Sequence, residues 1–393
     1  MLGRLKALIS DAFQQADMVL LGLCCAASLF GVAMIFSATR YMHSNRNVLV
    51  QLVALALGIC VYLGISMVDI ETLMKRWKWM VAFNLIFIGL LLTPFGVSDN
   101  TGNTAWLKFP FLPVSIGPAE FVKISFSLLL AKQLEWLRDE KRDLKSFPAA
   151  FTVGGHTLGL IGFYFVISGD MGNALVFFFI FLAMSFVAGF ALRWFVLLLG
   201  GAGVGAAAIA LFDLVPKSKQ YMLDRFIVIF DRSYQPLGAG WQQGRSLLAI
   251  GSGGFFGQGY LNGTQTQSDY STNLPARHTD LIFSVIGEEL GMLGCIFTLL
   301  LLCAIIGRVF WMAKRSQTLF QRCVCTGMAA MLIFQTVINV GMCLFVMPVI
   351  GITLPFLSYG GSSVVALYAA MGVVSGFKKR LSSSPHRIGR GLR

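Results

Sequence analysis

The chain is poor in acid, in histidine and in charge of any kind. Asp and Glu number 18 among 393 residues, His numbers 4, and charged side chains make up 12% of the total. An ordinary soluble globule carries about 25% charged residues, so that class is excluded, and the mean hydropathy of +0.74 agrees. No zinc spacing links the histidines and cysteines. Cys323-Val-Cys325 is a lone pair, and Cys24, Cys25, Cys60, Cys295, Cys303 and Cys343 lie in or beside apolar runs. These read as small packing residues and not as a disulfide framework. The short alternating segments of a β-barrel are missing. So is a visible internal repeat, which weakens an inverted-repeat transporter. No cleavable signal is expected, because the first apolar run is long enough to span and no small-residue cleavage site follows it.

What the chain has is apolar length. Hydrophobic residues make up 56% of it, with 34 phenylalanines, and apolar runs recur from end to end. The expected fold is an all-α polytopic membrane protein. Ten transmembrane helices are expected, near 18–38, 48–68, 78–95, 117–134, 149–168, 171–189, 193–213, 281–306, 322–346 and 360–377. The net charge of +13 then becomes an orientation signal. Most of the 31 Lys and Arg fall in segments sharing one side, while the short loops opposite hold only Arg40, Arg46 and Lys108. The positive-inside rule places both termini in the cytoplasm, in a multi-pass protein of the cell membrane. Anionic headgroups suit that basic face; nucleic acid is not expected as a partner.

One transmembrane domain is expected over 1–380, followed by a basic, disordered cytoplasmic tail at 381–393. A large extracytoplasmic loop, 214–279, separates spans seven and eight. Within it Met222–Phe230 and Trp241–Ile250 read as short helices on the outer mouth, joined by the turn-rich DRSYQPLGAG. The loop Phe95–Ser115 is the second elaborate one, so chemistry is expected outside. Met347–Ser363 carries two prolines and three glycines, which rules out a continuous helix. Non-helical backbone at that depth needs protein or a water-filled cavity around it; a plain outer turn is the alternative. The leading segment Met1–Phe13 has the pattern of a helix lying flat on a membrane.

Ionisable residues within apolar segments are few, and each needs a reason. Glu120 and Lys123 share a helical face and can neutralise each other, either as a structural ion pair or as the lining of a cavity. Asp170 opens the sixth span. Glu288 and Glu289 lie two turns into the eighth, where pairing with another helix competes with catalysis. Asp280 stands where NLPARHTD turns into LIFSVIGEELG. It is either a helix N-cap or an active-site carboxylate. The glycine-rich run Gly251–Gly259 lacks the strand–helix context of a dinucleotide fingerprint, and reads as tight turning beside Gln242, Gln243 and Arg245.

Four stretches, GPAEFVK, GWQQGRSLLAIGSGGFFGQGYLNGTQTQ, HTDLIFSVIGEELG and MPVIGITLPFLSYGGSS, together resemble the SEDS family of RodA, FtsW and SpoVE. The resemblance covers nearly the whole chain. It implies a peptidoglycan glycosyltransferase that polymerises lipid II into glycan strands at the outer face of the cytoplasmic membrane. The implied partner is a class B penicillin-binding protein transpeptidase, alongside other elongasome, divisome or sporulation membrane proteins. Asp280 matches the family's essential aspartate, and Glu120 and Lys123 match its important pair. Trp106, Arg245, Arg277, His278, Ser358, Gly360 and Gly361 are the further substrate-binding candidates. Departures stand at Gly117, where the family usually has Gln, at Ala105, commonly Arg, and at Ala276, often Glu.

On this reading Asp280 is the general base for an acceptor hydroxyl. Its ordinary pKa of about 3.9 makes it weak, and a partly dry location would raise it. The leaving diphosphate needs positive charge, from Lys123, Arg277, Arg245 or a divalent cation such as Mg²⁺ or Mn²⁺ held by Asp280. A lipid II flippase and a non-catalytic scaffold for cell-wall synthesis are the competing readings. A flippase needs polar groups reaching both faces, whereas the ionisable residues here crowd the outer side. A scaffold leaves Asp280, Glu120 and Lys123 without a reason to bear desolvation.

Overall fold

The computed structural model describes residues 13–98, 103–110, 114–140, 143–211, 220–232, 234, 238, 240–270 and 273–378. The expected surface helix before residue 13, much of 212–240 and the basic tail at 381–393 lie outside the described residues. Twelve helices of eleven or more residues organise the rest. They are α1 (Met18–Thr39), α2 (Arg46–Met67), α3 (Trp77–Gly89), α4 (Pro118–Asp139), α5 (Phe147–Ser168) and α6 (Met171–Ala188). After them come α7 (Leu192–Leu211), α8 (Gln220–Phe230), α9 (Trp241–Gly253), α10 (Ile282–Arg315), α11 (Leu319–Cys343) and α12 (Gly361–Gly376).

Six of these are long and apolar enough to cross a membrane: α1, α2, α5, α6, α10 and α11. This is a polytopic helical membrane protein. The other segments expected to span fall short for readable reasons. Helix α3 has 13 residues and α12 has 16, while α4 carries six charged side chains between Glu120 and Asp139. The all-α expectation needs one correction. Strands β1 (Gly96–Ser98) and β2 (Thr104–Leu107) form an antiparallel hairpin in the loop read at Phe95–Ser115. It pairs Gly96 with Leu107 and Val97 with Trp106.

Helix starts follow local chemistry. Asp17, Ser146, Asp170 and Thr318 each accept a backbone N–H at the start of α1, α5, α6 and α11, the ordinary N-cap arrangement. Pro118 opens α4, where its missing N–H costs nothing. Helix α11 is the centre of the bundle. Its apolar window is 72% buried, against 22–44% for the other five long helices, and it packs on α4, α6 and α10. Helix α12 lies along α2. At one end, Arg308 grips Asp17 with two bonds of 2.8 and 3.0 Å, while Tyr62 and Ser375 bond the Asp17 backbone.

Helix α10 is broken at Gly291 (φ 64, ψ −160), and the glycine-rich run fills the break. Met292 and Leu293 donate their N–H groups to Gly254 and Phe255, 3.0 and 3.3 Å away, in place of the carbonyls four residues back. Those freed carbonyls, of Glu288 and Glu289, accept from Gln258 and Gly259 at 2.9 and 3.0 Å. Four bonds to the loop thus replace two missing rungs, which is what a kink inside an apolar layer requires. A Cβ on Gly253 would run into the Gly287 carbonyl, and one on Gly257 into that of Glu289. The run turns tightly, as expected, and it does so to reach helix backbone.

Candidate active site

Three consecutive carbonyls, of His278, Thr279 and Asp280, are each held from across the bundle. Tyr359 N–H donates to His278 at 2.8 Å, Ser358 Oγ to Thr279 at 2.6 Å, and Asn339 Nδ2 to Asp280 at 2.7 Å. Asn339 also donates to Ile352 at 2.7 Å. Gln51 completes the bracket by donating to Ser358 carbonyl and accepting from Gly360 N–H. The segment after α11 cannot be helical with Phe345, Gly351 and Phe356 all at positive φ. Its irregular backbone is what grips this turn.

The Asp280 carboxylate itself is left unclamped. The N-cap position of α10 is Leu281, with no side-chain cap bond, so the cap alternative for Asp280 falls. The residue is half-buried just outside the helix. Burial pushes its pKa up to about 6, with Arg225 pulling it down and Asp170 pushing it further up. Two polar atoms beside it, His278 Nδ1 and Asn339 Oδ1, are buried without a partner among the described residues. Burial, helped by the Arg277 charge, lowers the His278 pKa.

Glu120 and Lys123 form the expected ion pair at 2.9 Å, with Lys123 fully buried and Glu120 at 11% exposure. Ser363 donates to Glu120 at 3.4 Å. Nearer to Asp280 stands a group that sequence reading left out of the site: Asp170 accepts from Tyr164 at 2.9 Å, and its charge acts on Asp280. Trp106 stands on β2, 37% exposed, with its ring against Gly117. A Cβ at 117 would meet that ring at 3.1 Å, a physical reason for glycine at this position.

Other candidates are placed differently from their expected roles. Arg277 is 1% exposed, lies over the Tyr41 ring at 3.7 Å and donates to the carbonyls of Gln265, Thr266, Ser268 and Tyr270. It ties the loop backbone together, with its buried Nε left without a partner among the described residues. Arg245 stacks on Trp241 at 4.6 Å and donates to Asn273 at 3.2 Å. Ser358 is spent on Thr279 and on the Leu354 N–H. Gly360 donates to Gln51, and Gly361 packs on Val114 and Val50. Glu288 and Glu289 are fully buried and fully occupied. Glu288 accepts from Gln265 and Thr266, and Glu289 from Ser37 and Gln267.

A divalent ion fits this donor set poorly. Among the described residues no group of three or more His, Cys, Asp or Glu converges. Asp170, the one carboxylate near Asp280, already accepts from Tyr164 and twice from Asn173. Arg225 brings positive charge to the same place.

Fold and site together define a polytopic membrane protein with a partly dry, uncapped carboxylate beside a long non-membrane loop. The family model FTSW_RODA_SPOVE, described as "Cell cycle protein", matches residues 15–383, and the chain belongs to that family. It is 32% identical over 377 residues to the "Probable peptidoglycan glycosyltransferase FtsW" of Trichlorobacter lovleyi, covering 94% of each chain. It is 33% identical over 322 residues to the "Peptidoglycan glycosyltransferase MrdB" of Escherichia coli K12, covering 78% of this chain and 80% of that one. Among solved structures it is similar to a chain from "Structural coordination of polymerization and crosslinking by a peptidoglycan synthase complex", with TM-score 0.74 at 30% identity, covering 94% of this chain and 99% of that one. It is also similar to the rod shape determining protein RodA of Thermus thermophilus, with TM-score 0.64 at 29% identity, covering 92% and 96%.

Proposed function

We infer that this chain is a peptidoglycan glycosyltransferase that polymerises lipid II at the outer face of the cytoplasmic membrane. The activity named for its relatives supports this. The observation that carries it to a residue is Asp280, a carboxylate with a pinned backbone, no cap bond and a pKa pushed up to about 6. In this reading ten helices span, both termini are cytoplasmic, and one transmembrane domain covers 1–380. The loop from 214 to 279 then lies outside, over the site.

A hydroxyl nucleophile must lose its proton as the new bond forms. Asp280 takes that proton as the acceptor oxygen attacks the anomeric carbon of the lipid-linked sugar. The carbon–oxygen bond to the diphosphate breaks on the opposite side, with inversion, and its electron pair leaves with the phosphate oxygen. A base with a pKa of about 6 is far better matched to neutral pH than an ordinary Asp. The bracket of Ser358, Asn339 and Gln51 holds the base in place at no cost during reaction. Glu120 and Lys123 hold a buried ion pair for the same reaction, and Trp106 offers an exposed ring for a sugar face. A class B penicillin-binding transpeptidase is the proposed partner, in keeping with a structural relative described as coordinating polymerisation and crosslinking.

The test is lipid II polymerisation by purified Asp280→Asn. Normal membrane expression with no glycan supports the assignment, whereas wild-type polymerisation removes it. Vesicles that scramble lipid II but make no glycan would overturn the transferase reading as a whole.

A further inference from the structure

The proposed reaction releases a diphosphate anion, and the sequence offers four sources of positive charge to receive it. The structure disposes of each differently. Lys123 is fully buried and paired with Glu120. Arg277 is spent on four backbone carbonyls and the Tyr41 ring. Arg245 is held by Trp241 and Asn273. The carboxylates near Asp280 do not make a metal cage.

One cation stands where it is needed. Arg225 lies on α8, the short helix of the long loop, and it is half-buried. Its Nη1 donates to the Val349 carbonyl at 2.9 Å, and its guanidinium lies 5.4 Å from the Tyr221 ring. Among the described residues that is its one hydrogen bond, which leaves most of its five N–H donors for a ligand. Val349 lies in the irregular segment that follows α11. A Cβ on Gly172 would run into the Ile350 carbonyl and come within 3.3 Å of Asp170 Oδ1, so this segment passes beside Asp170. Ile352 shares Asn339 with Asp280. The anchor at Val349 therefore ties the guanidinium to the segment that packs by Asp170 and is held, with Asp280, by Asn339.

We propose that Arg225 is a catalytic residue that binds the diphosphate of the lipid-linked donor and takes up its negative charge as the glycosyl bond breaks. This rests on the transferase reading. The bond balance is that of the step above: the anomeric carbon–oxygen pair passes to the phosphate, the acceptor proton passes to Asp280, and Arg225 stays protonated throughout. A guanidinium suits this because its planar fork meets phosphate oxygens in pairs.

The test compares full-length Arg225→Gln, Arg225→Lys and Asp280→Asn in proteoliposomes. Inorganic pyrophosphate binding and lipid II polymerisation are measured on each. Gln can still donate to Val349, so a purely structural Arg225 would tolerate it. The expected result is a fall of about 10²-fold in kcat for Arg225→Gln, the scale for losing one charge-stabilising donor. Arg225→Lys should recover about tenfold of that loss. Pyrophosphate binding should weaken about tenfold in Arg225→Gln and stay unchanged in Asp280→Asn. The acidic limb of the Arg225→Gln rate profile should also move up, since the cation facing Asp280 is gone and Asp170 remains. Near-wild-type polymerisation by Arg225→Gln, or unchanged pyrophosphate binding in it, overturns the proposal. Activity in Asp280→Asn would instead defeat the base assignment, independently of Arg225.

Discussion

Two sets of carboxylates stand within ten residues of each other, and they live in opposite conditions. Glu288 and Glu289 are fully buried in α10, yet every oxygen faces a donor from Gln265, Thr266, Gln267 or Ser37. Asp280 is only half-buried, its backbone is held at three successive carbonyls, and its carboxylate accepts nothing from the helix it precedes. Depth alone would have chosen the glutamates as the reactive pair. Satisfaction chooses the aspartate. A carboxylate with all its lone pairs engaged is a structural tie, whereas one left partly dry and unengaged is poised to accept a proton.

That contrast can be broken by experiment. The largest effect is expected at Asp280. Asp280→Asn should cut polymerisation by about 10³-fold, within the range for a lost general base, with an unchanged melting profile in detergent. Next comes the loop that ties down the glutamates. Gly257 has φ +83 and abuts the Glu289 carbonyl, so Gly257→Ala should destabilise by about 3 kcal/mol or more, read as a loss of thermal stability. Glu288→Gln turns an amide towards the N–H groups of Gln265 and Thr266, and should cost about 2 kcal/mol of stability. Its polymerisation rate per folded molecule should stay near normal. If Glu288→Gln abolished activity while leaving the melting profile alone, the division between structural and reactive carboxylates would collapse.

Smaller effects sharpen the comparison. Asn339→Ala frees the Asp280 carbonyl and should lower kcat about tenfold through misplacement of the base, with KM little changed. A pH series tests the protonation state. The base must be ionised to act, so the rate should be half its plateau near pH 6 and fall tenfold per unit below that. A limb near pH 4 would mean that Asp280 is fully solvated.

Much of this was legible beforehand. The apolar runs, the short helices α8 and α9, the non-helical segment after α11 and the Glu120–Lys123 pair follow from periodicity, proline and glycine placement, and a three-residue spacing. The hairpin at 96–107 was missed because its strands have three and four residues, too few for an alternating pattern to show. Arg225 was missed, and Asp170 was noted only as an ionisable residue opening the sixth span, for another reason. Arg225 lies about 55 residues before Asp280 and Asp170 some 110, on elements whose docking no local pattern reports. Arg245 and Arg277 were named, with Lys123, as sources of positive charge for the diphosphate, and the structure engages them with Trp241 and Asn273 and with loop carbonyls and Tyr41.

The sequence by itself determined that this protein is a bundle of apolar helices, which stretches break that bundle, and that a carboxylate sits at one break. Those follow from local rules, because a helix in an apolar layer satisfies its own backbone and a proline or glycine cluster interrupts it. Only the tertiary structure decided which carboxylates are tied and which is open. It also decided that the glycine run mends the kink in α10, and that Arg225 is anchored on Val349 while Arg245 stacks on Trp241 and Arg277 ties loop carbonyls. Hydrogen-bond satisfaction is settled by whatever the rest of the chain brings within about 3 Å, and that distance is not written in any one segment.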